Sequence, residues 1–179
     1  SMAQRRYKFG EVYMEQLQDY RKAVKWFKGA LAATYDEDDL FDYEQNIARC
    51  YYMMGKYKKA KKHAEYAMEH FQKSGRGTEE EYLSFLSRRP VRLATFGWVH
   101  LCLGDRERAI QYFNEMDTSL RCRLCTHPRC FESNLYLGYI YEREGNTESA
   151  MKQFEEALNR NPDDYESRSM IEKLKRMKK

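Results

Sequence analysis

The stretch densest in reactive side chains is "RCRLCTHPRC", Arg121 to Cys130, which gathers Cys122, Cys125, His127 and Cys130. Three thiols and an imidazole form a donor set for tetrahedral zinc. Cys122 and Cys125 have the Cys-x-x-Cys spacing of a zinc half-site, but a histidine two residues past the second cysteine is not a usual ligand spacing. Closing all four ligands inside one short loop that holds Pro128 is geometrically demanding. The same cysteine pair could be a redox dithiol, yet nothing before it reads as the strand that leads into thioredoxin-like motifs. A third reading, a joint between helices where thiols happen to gather, is preferred. No metal and no cofactor are expected, with zinc on these four residues as the alternative.

The remaining chemistry is sparse. His63 and His70 lie seven residues apart, with no nucleophile at a supporting spacing, and His100 reads as a packing residue with a polar tip. The segment "KSGRGT" lacks the lysine and following Ser or Thr of a phosphate-binding loop. The acidic run "DEDD", Asp36 to Asp39, reads as a helix cap rather than a metal site. No catalytic residue is assigned, and the chain is expected not to be an enzyme.

Bulk properties narrow the class. A length of 179 residues suggests one domain with a core that needs no disulfide staples. The 32 basic and 28 acidic residues leave a net charge of +4, too small and too mixed for the concentrated basic face that nucleic acid demands. No run of apolar residues is long enough to span a bilayer. Five cysteines, without an apolar signal segment, suit a reducing compartment, so a cytoplasmic location is expected. Ser1-Met2 reads as a cloning remnant, which suggests a piece of a longer protein.

The elements that must carry these residues are all helical. Only Pro90, Pro128 and Pro162 interrupt the chain, and between them apolar residues recur at helical spacing. Around Gly138 the sequence has Leu137, Tyr141, Gly145, Ala150, Phe154 and Ala157. The same offsets from Gly97 give Phe96, His100, Gly104, Ala109, Phe113 and Met116, and from Ala48 they give Ile47, Tyr51, Gly55, Ala60, Ala64 and Ala67. From Gly10 they give Phe9 and Tyr13 and then, one residue late, Ala23, Phe27 and Ala30. The small landmark sits where two helices of a hairpin approach closely, and the aromatics fill the gaps.

This pattern resembles the tetratricopeptide repeat, a helix–turn–helix unit of about 34 residues. The resemblance implies an all-α, right-handed superhelical solenoid of antiparallel helix pairs. It places repeats at 4–37, 41–74, 90–123 and 131–164 within a single domain over 1–179. An insertion at 75–89 separates the second and third repeats; Thr78 and Glu81 suggest a capping box there, and Arg89 before Pro90 suggests a break. Residues 165–179 read as a capping helix with Met170, Ile171, Leu174 and Met177 on its apolar face. The cysteine stretch falls in the joint before the last repeat, which is longer than the family's: Gly97 and Gly138 are 41 residues apart.

In this family the first helices of successive repeats line a concave groove that holds peptides. The resemblance carries that role to the landmark offsets −3, +1, +4 and +5, and so to Gln45, Arg49 and Tyr52, to Trp98 and Leu101, and to Tyr139 and Arg143. An exposed row of Trp, Tyr and Arg is the composition of a binding hot spot; the competing reading has these aromatics packed between repeats or covered by the insertion. Members that clamp chaperone carboxylate tails use lysine and asparagine where this chain has Tyr7, Glu11, Gln45, Arg49 and Ala94. A protein or peptide with apolar anchors is therefore the expected partner, rather than an acidic chain end, a membrane or nucleic acid. The alternative is a regulatory domain whose cysteine cluster senses metal or redox state.

Overall fold

The computed structural model describes residues 1–118 and 132–178. Among these every regular element is helical, so the chain is an all-α helical-repeat protein. Two compact units occur, Ser1–Ala109 and Ile110–Lys179. The cysteine cluster at 122–130 lies outside the described residues.

In the first unit, α1 (Met2–Glu11) runs into a π-helical turn (Val12–Gln16) and pairs with α2 (Tyr20–Leu31). Next come α3 (Glu37–Met53) paired with α4 (Tyr57–Lys73), then the short α5 (Glu79–Phe85) and α6 (Pro90–Leu103). Helix α7 covers Arg106–Thr118. The second unit continues with α8 (Glu132–Arg143), α9 (Thr147–Arg160) and α10 (Tyr165–Met177).

Hairpin geometry follows from the small landmark. A Cβ placed on Gly138 would lie 2.5 Å from a ring carbon of Phe154, and one on Gly10 would lie 2.5 Å from Phe27. Each phenylalanine is fully buried, so its ring uses the space that the missing side chain leaves. The second repeat solves the same volume problem differently, with Ala48 and Ala64 both fully buried.

The late offset in the first repeat has a structural cause. Leu17 N–H bonds back to Val12 C=O and Asp19 N–H to Tyr13 C=O, a wider loop than an α-helix makes. In the other turns the matching bonds run from Lys56 to Tyr51, Asp105 to His100 and Asn146 to Tyr141, one residue shorter. The first helix has therefore absorbed one extra residue as a π turn, and every later position of that repeat slips by one. The left-handed residue of the turn is Gly55, Gly104 or Gly145 elsewhere, but Gln18 here, at φ 53°.

The insertion forms as its caps dictate. Thr78 accepts from Glu81 N–H, and Ser87 and Arg88 then turn left-handed before Pro90 opens α6. Leu83 is fully buried, and the Tyr82 ring meets those of Phe71 and Phe96. Asp36 caps α3 by accepting from Asp39 N–H, as the acidic run suggested. In α10, Met170, Ile171 and Leu174 are buried as expected, but Met177 is exposed because it lies in the helix's last turn.

Candidate binding surface

The inner-face positions of α3 and α6 meet in the first unit. The Arg49 guanidinium lies 4.8 Å from the centroid of the Trp98 ring, a cation–π arrangement. The Tyr52 ring meets the same indole edge-on at 5.8 Å and the Tyr57 ring at 5.3 Å. Thus one Arg, one Tyr and one Trp from successive first helices form a single cluster, flanked in sequence by Gln45 and Leu101.

Their exposure differs from the sequence expectation. Trp98 is 2% exposed and Tyr139 1%, and Gln45, Arg49, Tyr52 and Leu101 are buried as well. The exposed row is not present: in the first unit Trp98 packs against Arg49 and Tyr52, and in the second Tyr139 packs against Phe154. Position on a helix could be counted from the landmark glycines, whereas coverage depends on side chains from other helices. The insertion accounts for none of the contacts just named, since its own fall on the opposite side of the count. Tyr82 packs on Phe96, and Glu79 bonds His100 Nε2 at 2.7 Å; these are the −1 and +3 positions.

In the second unit Tyr139 packs edge-on against Phe154, at 5.7 Å between centroids, and its hydroxyl donates to the Glu166 carboxylate in the first turn of α10. A buried phenol needs an acceptor and a buried carboxylate needs a donor, so each explains the other's burial. Arg143 is half-buried, with its Nε 3.2 Å from a carboxylate oxygen of Glu142. Glu166 went unnoticed in the sequence because its role depends on where the capping helix docks.

A polar network was likewise illegible. Asn46 Nδ2 donates to Tyr7 Oη at 3.0 Å, and Arg92 pairs with Asp42 at 2.7 Å across α6 and α3. Burial, helped by the nearby Glu11 carboxylate, pushes the Tyr7 phenol up. Burial also raises Asp42, although Arg92 pulls the other way. The −3 position of the first repeat thus holds a phenol already bonded within the fold.

Reactive chemistry is muted among the described residues. Desolvation pushes the Cys50 thiol up to about 12 and raises Cys102 as well. A buried thiol kept protonated is a poor nucleophile. The three described histidines tie elements together: His63 to Glu44 at 2.6 Å, His70 to Glu37 at 2.5 Å, and His100 to Glu79, which also lies 3.3 Å from Arg108. Among the described residues no group of three or more His, Cys, Asp or Glu converges to hold a metal. No described helix is long and apolar enough to cross a membrane.

Comparison with known proteins agrees with this geometry. Residues 131–164 match the tetratricopeptide repeat family, and residues 45–74 match a second description of the same repeat. The chain carries tetratricopeptide repeats. Both matched segments fall on helix pairs built around a small landmark, α8–α9 and α3–α4. Tetratricopeptide repeats are protein-interaction scaffolds, and this chain is one in that general sense. The chain is similar to a chain of the APC/C hetero-tetramer Cut9–Hcn1 at 13% identity and TM-score 0.47, covering 97% of this chain but only 30% of that one. It is similar to the TPR2AB domain of yeast Sti1 in its pHSP90 complex at 19% identity and TM-score 0.43, over 97% of this chain and 70% of that one. A Thermus thermophilus tetratricopeptide repeat protein is similar at 20% identity and TM-score 0.41, over 96% and 98% of the two chains. No curated protein matches the sequence.

Proposed function

We propose that this chain is a non-catalytic scaffold that captures a protein or peptide through the inner face of its first helices. The observation that carries this reading is the Arg49–Tyr52–Trp98 cluster. Three residue types that dominate binding hot spots are drawn from successive first helices and held in one fixed arrangement. Being buried, they act in this reading as the support beneath the contact surface rather than as the contact itself. Tyr139 and Arg143 hold the corresponding positions in the second unit. The ligand is an extended or helical segment with apolar or aromatic anchors, and not an acidic chain end, because the clamp positions hold Tyr7 and Glu11 rather than lysine and asparagine. A cytoplasmic setting suits such a scaffold.

The test is an affinity capture with mass spectrometry, comparing the wild-type chain with Arg49→Gln and Tyr52→Ala. Circular dichroism melts serve as the control for folding. Loss of one set of captured proteins from both variants, with melts retained, supports the inner face. Unchanged capture by folded variants refutes it.

A further inference from the structure

The second repeat differs from the other three early in its second helix. Counted from Ala48, the residues at +8, +10, +11, +13 and +14 are all exposed lysines: Lys56, Lys58, Lys59, Lys61 and Lys62. The same offsets include Asp105 and Glu107 in the third repeat and Asn146 and Glu148 in the fourth, and Asp19 begins the set in the first. The hairpin therefore forms without this concentration of charge. On α4 the first carboxylates after the block are Glu65 and Glu69. Lysines so closely spaced repel one another, so the block weakens its own helix. A local rule broken in one repeat and kept in its siblings marks a functional position.

Tertiary packing brings a further lysine to this block from another hairpin. Lys28 of α2 lies 5.6 Å from the centroid of the Tyr51 ring on α3, and Lys59 of α4 lies 5.5 Å from the same centroid. Two ammonium groups from different repeats thus share one ring. His63 packs on that ring at 5.3 Å and on Tyr66 at 5.6 Å, and Lys62 lies 5.8 Å from the Tyr66 ring. Lys28, Lys59 and Lys62 are exposed, and among the described residues none of the three makes an ion pair. Glu44, the carboxylate that joins this set, is buried and already bonded to His63 Nδ1 at 2.6 Å.

Unneutralised cations gathered from two helices select a polyanion, and the rings decide which kind. A nucleic acid strand needs open aromatic faces on which to stack its bases, but Tyr51 is buried and Tyr66 half-buried. The cations at these rings are lysines, point charges on flexible stems, rather than the planar forks that pair bidentately with phosphate. Such charges suit carboxylates of irregular spacing. We propose that the surface where Lys28 and Lys59 flank Tyr51 is a docking site for an acidic segment of a partner protein, its Asp and Glu side chains seated on Lys28, Lys59 and Lys62. The lysines all belong to second helices, so this surface stands without the inner-face reading.

The probe is a fluorescein-labelled peptide of alternating glutamate and serine, about twelve residues long, which reaches about 40 Å when extended. It is titrated with the full chain and followed by fluorescence anisotropy. Saturable binding is expected, weakening as NaCl rises from about 0.05 to 0.3 M. Lys28→Glu with Lys59→Glu should raise Kd about tenfold or more. Lys175→Glu with Arg176→Glu on α10 makes the same change in net charge and should shift Kd less than about twofold. All four side chains are exposed, and circular dichroism melts check that each variant folds. The Lys28→Glu, Lys59→Glu variant should in turn bind the matching lysine–serine peptide better than wild type does, a gain that misfolding cannot produce. Equal weakening by the two charge-matched pairs, or no saturable binding, overturns the proposal. So does tighter binding of a single-stranded oligonucleotide of equal charge that Lys28→Glu with Lys59→Glu abolishes, since nucleic acid would then be the occupant.

Discussion

Replacing Gly138 by alanine tests the packing on which the repeat is built. At an unconstrained helix interior this substitution stabilises by about 1 kcal/mol, because alanine is the better helix former. Here the new methyl would lie 2.5, 2.7 and 2.9 Å from three ring carbons of Phe154. The ring is fully buried. Overpacking costs about 1–3 kcal/mol, and three sub-contact distances put this case near the top of that range. The net expectation is a loss of about 2 kcal/mol, several degrees in Tm. Phe154→Ala removes the obstacle and recreates the alanine–alanine pairing of Ala48 and Ala64. In that background Gly138→Ala should turn stabilising by about 1 kcal/mol, a coupling of about 3 kcal/mol between the two sites. Urea denaturation of the four proteins measures it. A stabilising Gly138→Ala in the wild-type background, or a coupling below about 0.5 kcal/mol, would refute the reasoning.

Three other outcomes are expected. Leu83→Ala, at a fully buried position of the insertion, should cost about 2–5 kcal/mol in the same denaturation assay, whereas a loosely attached α5 would lose almost nothing. The Cys50 thiol titrates higher in the folded chain than its ordinary value of 9.0, at about 12. The native state therefore keeps a proton that the unfolded chain has lost, so stability is whole below the lower value and falls as pH rises through the window, by about 1.4 kcal/mol per unit per thiol. Melts across that window should slope less steeply in Cys50→Ala. Finally, chain purified without chelator should carry clearly substoichiometric zinc by elemental analysis, as a structural joint at Cys122, Cys125, His127 and Cys130 requires; one equivalent per chain would reassign those residues as ligands.

Much of the fold could be read along the chain, because a helical hairpin is a local object. Its landmark, its turn glycine and its capping residue all lie within about 34 residues. The glycine–phenylalanine contacts and the Asp36 and Thr78 caps follow from spacing alone. Even the slip in the first repeat was visible as a late offset, although only the Asp19–Tyr13 bond identifies it as a π turn.

What the chain could not state was coverage. Arg49, Tyr52, Trp98 and Tyr139 were assigned correctly to helices and misjudged in exposure. Burial is decided by residues far away in sequence: Trp98 meets Arg49 and Tyr52 on α3, and Tyr139 meets Glu166 on α10. The exposed Phe9 and Val12 teach the same lesson in reverse. Their types match those of the buried equivalents Ile47 and Cys50, and only the tertiary structure shows that they are exposed. Periodicity follows from bonds along one helix, but solvent access depends on which neighbour docks against it.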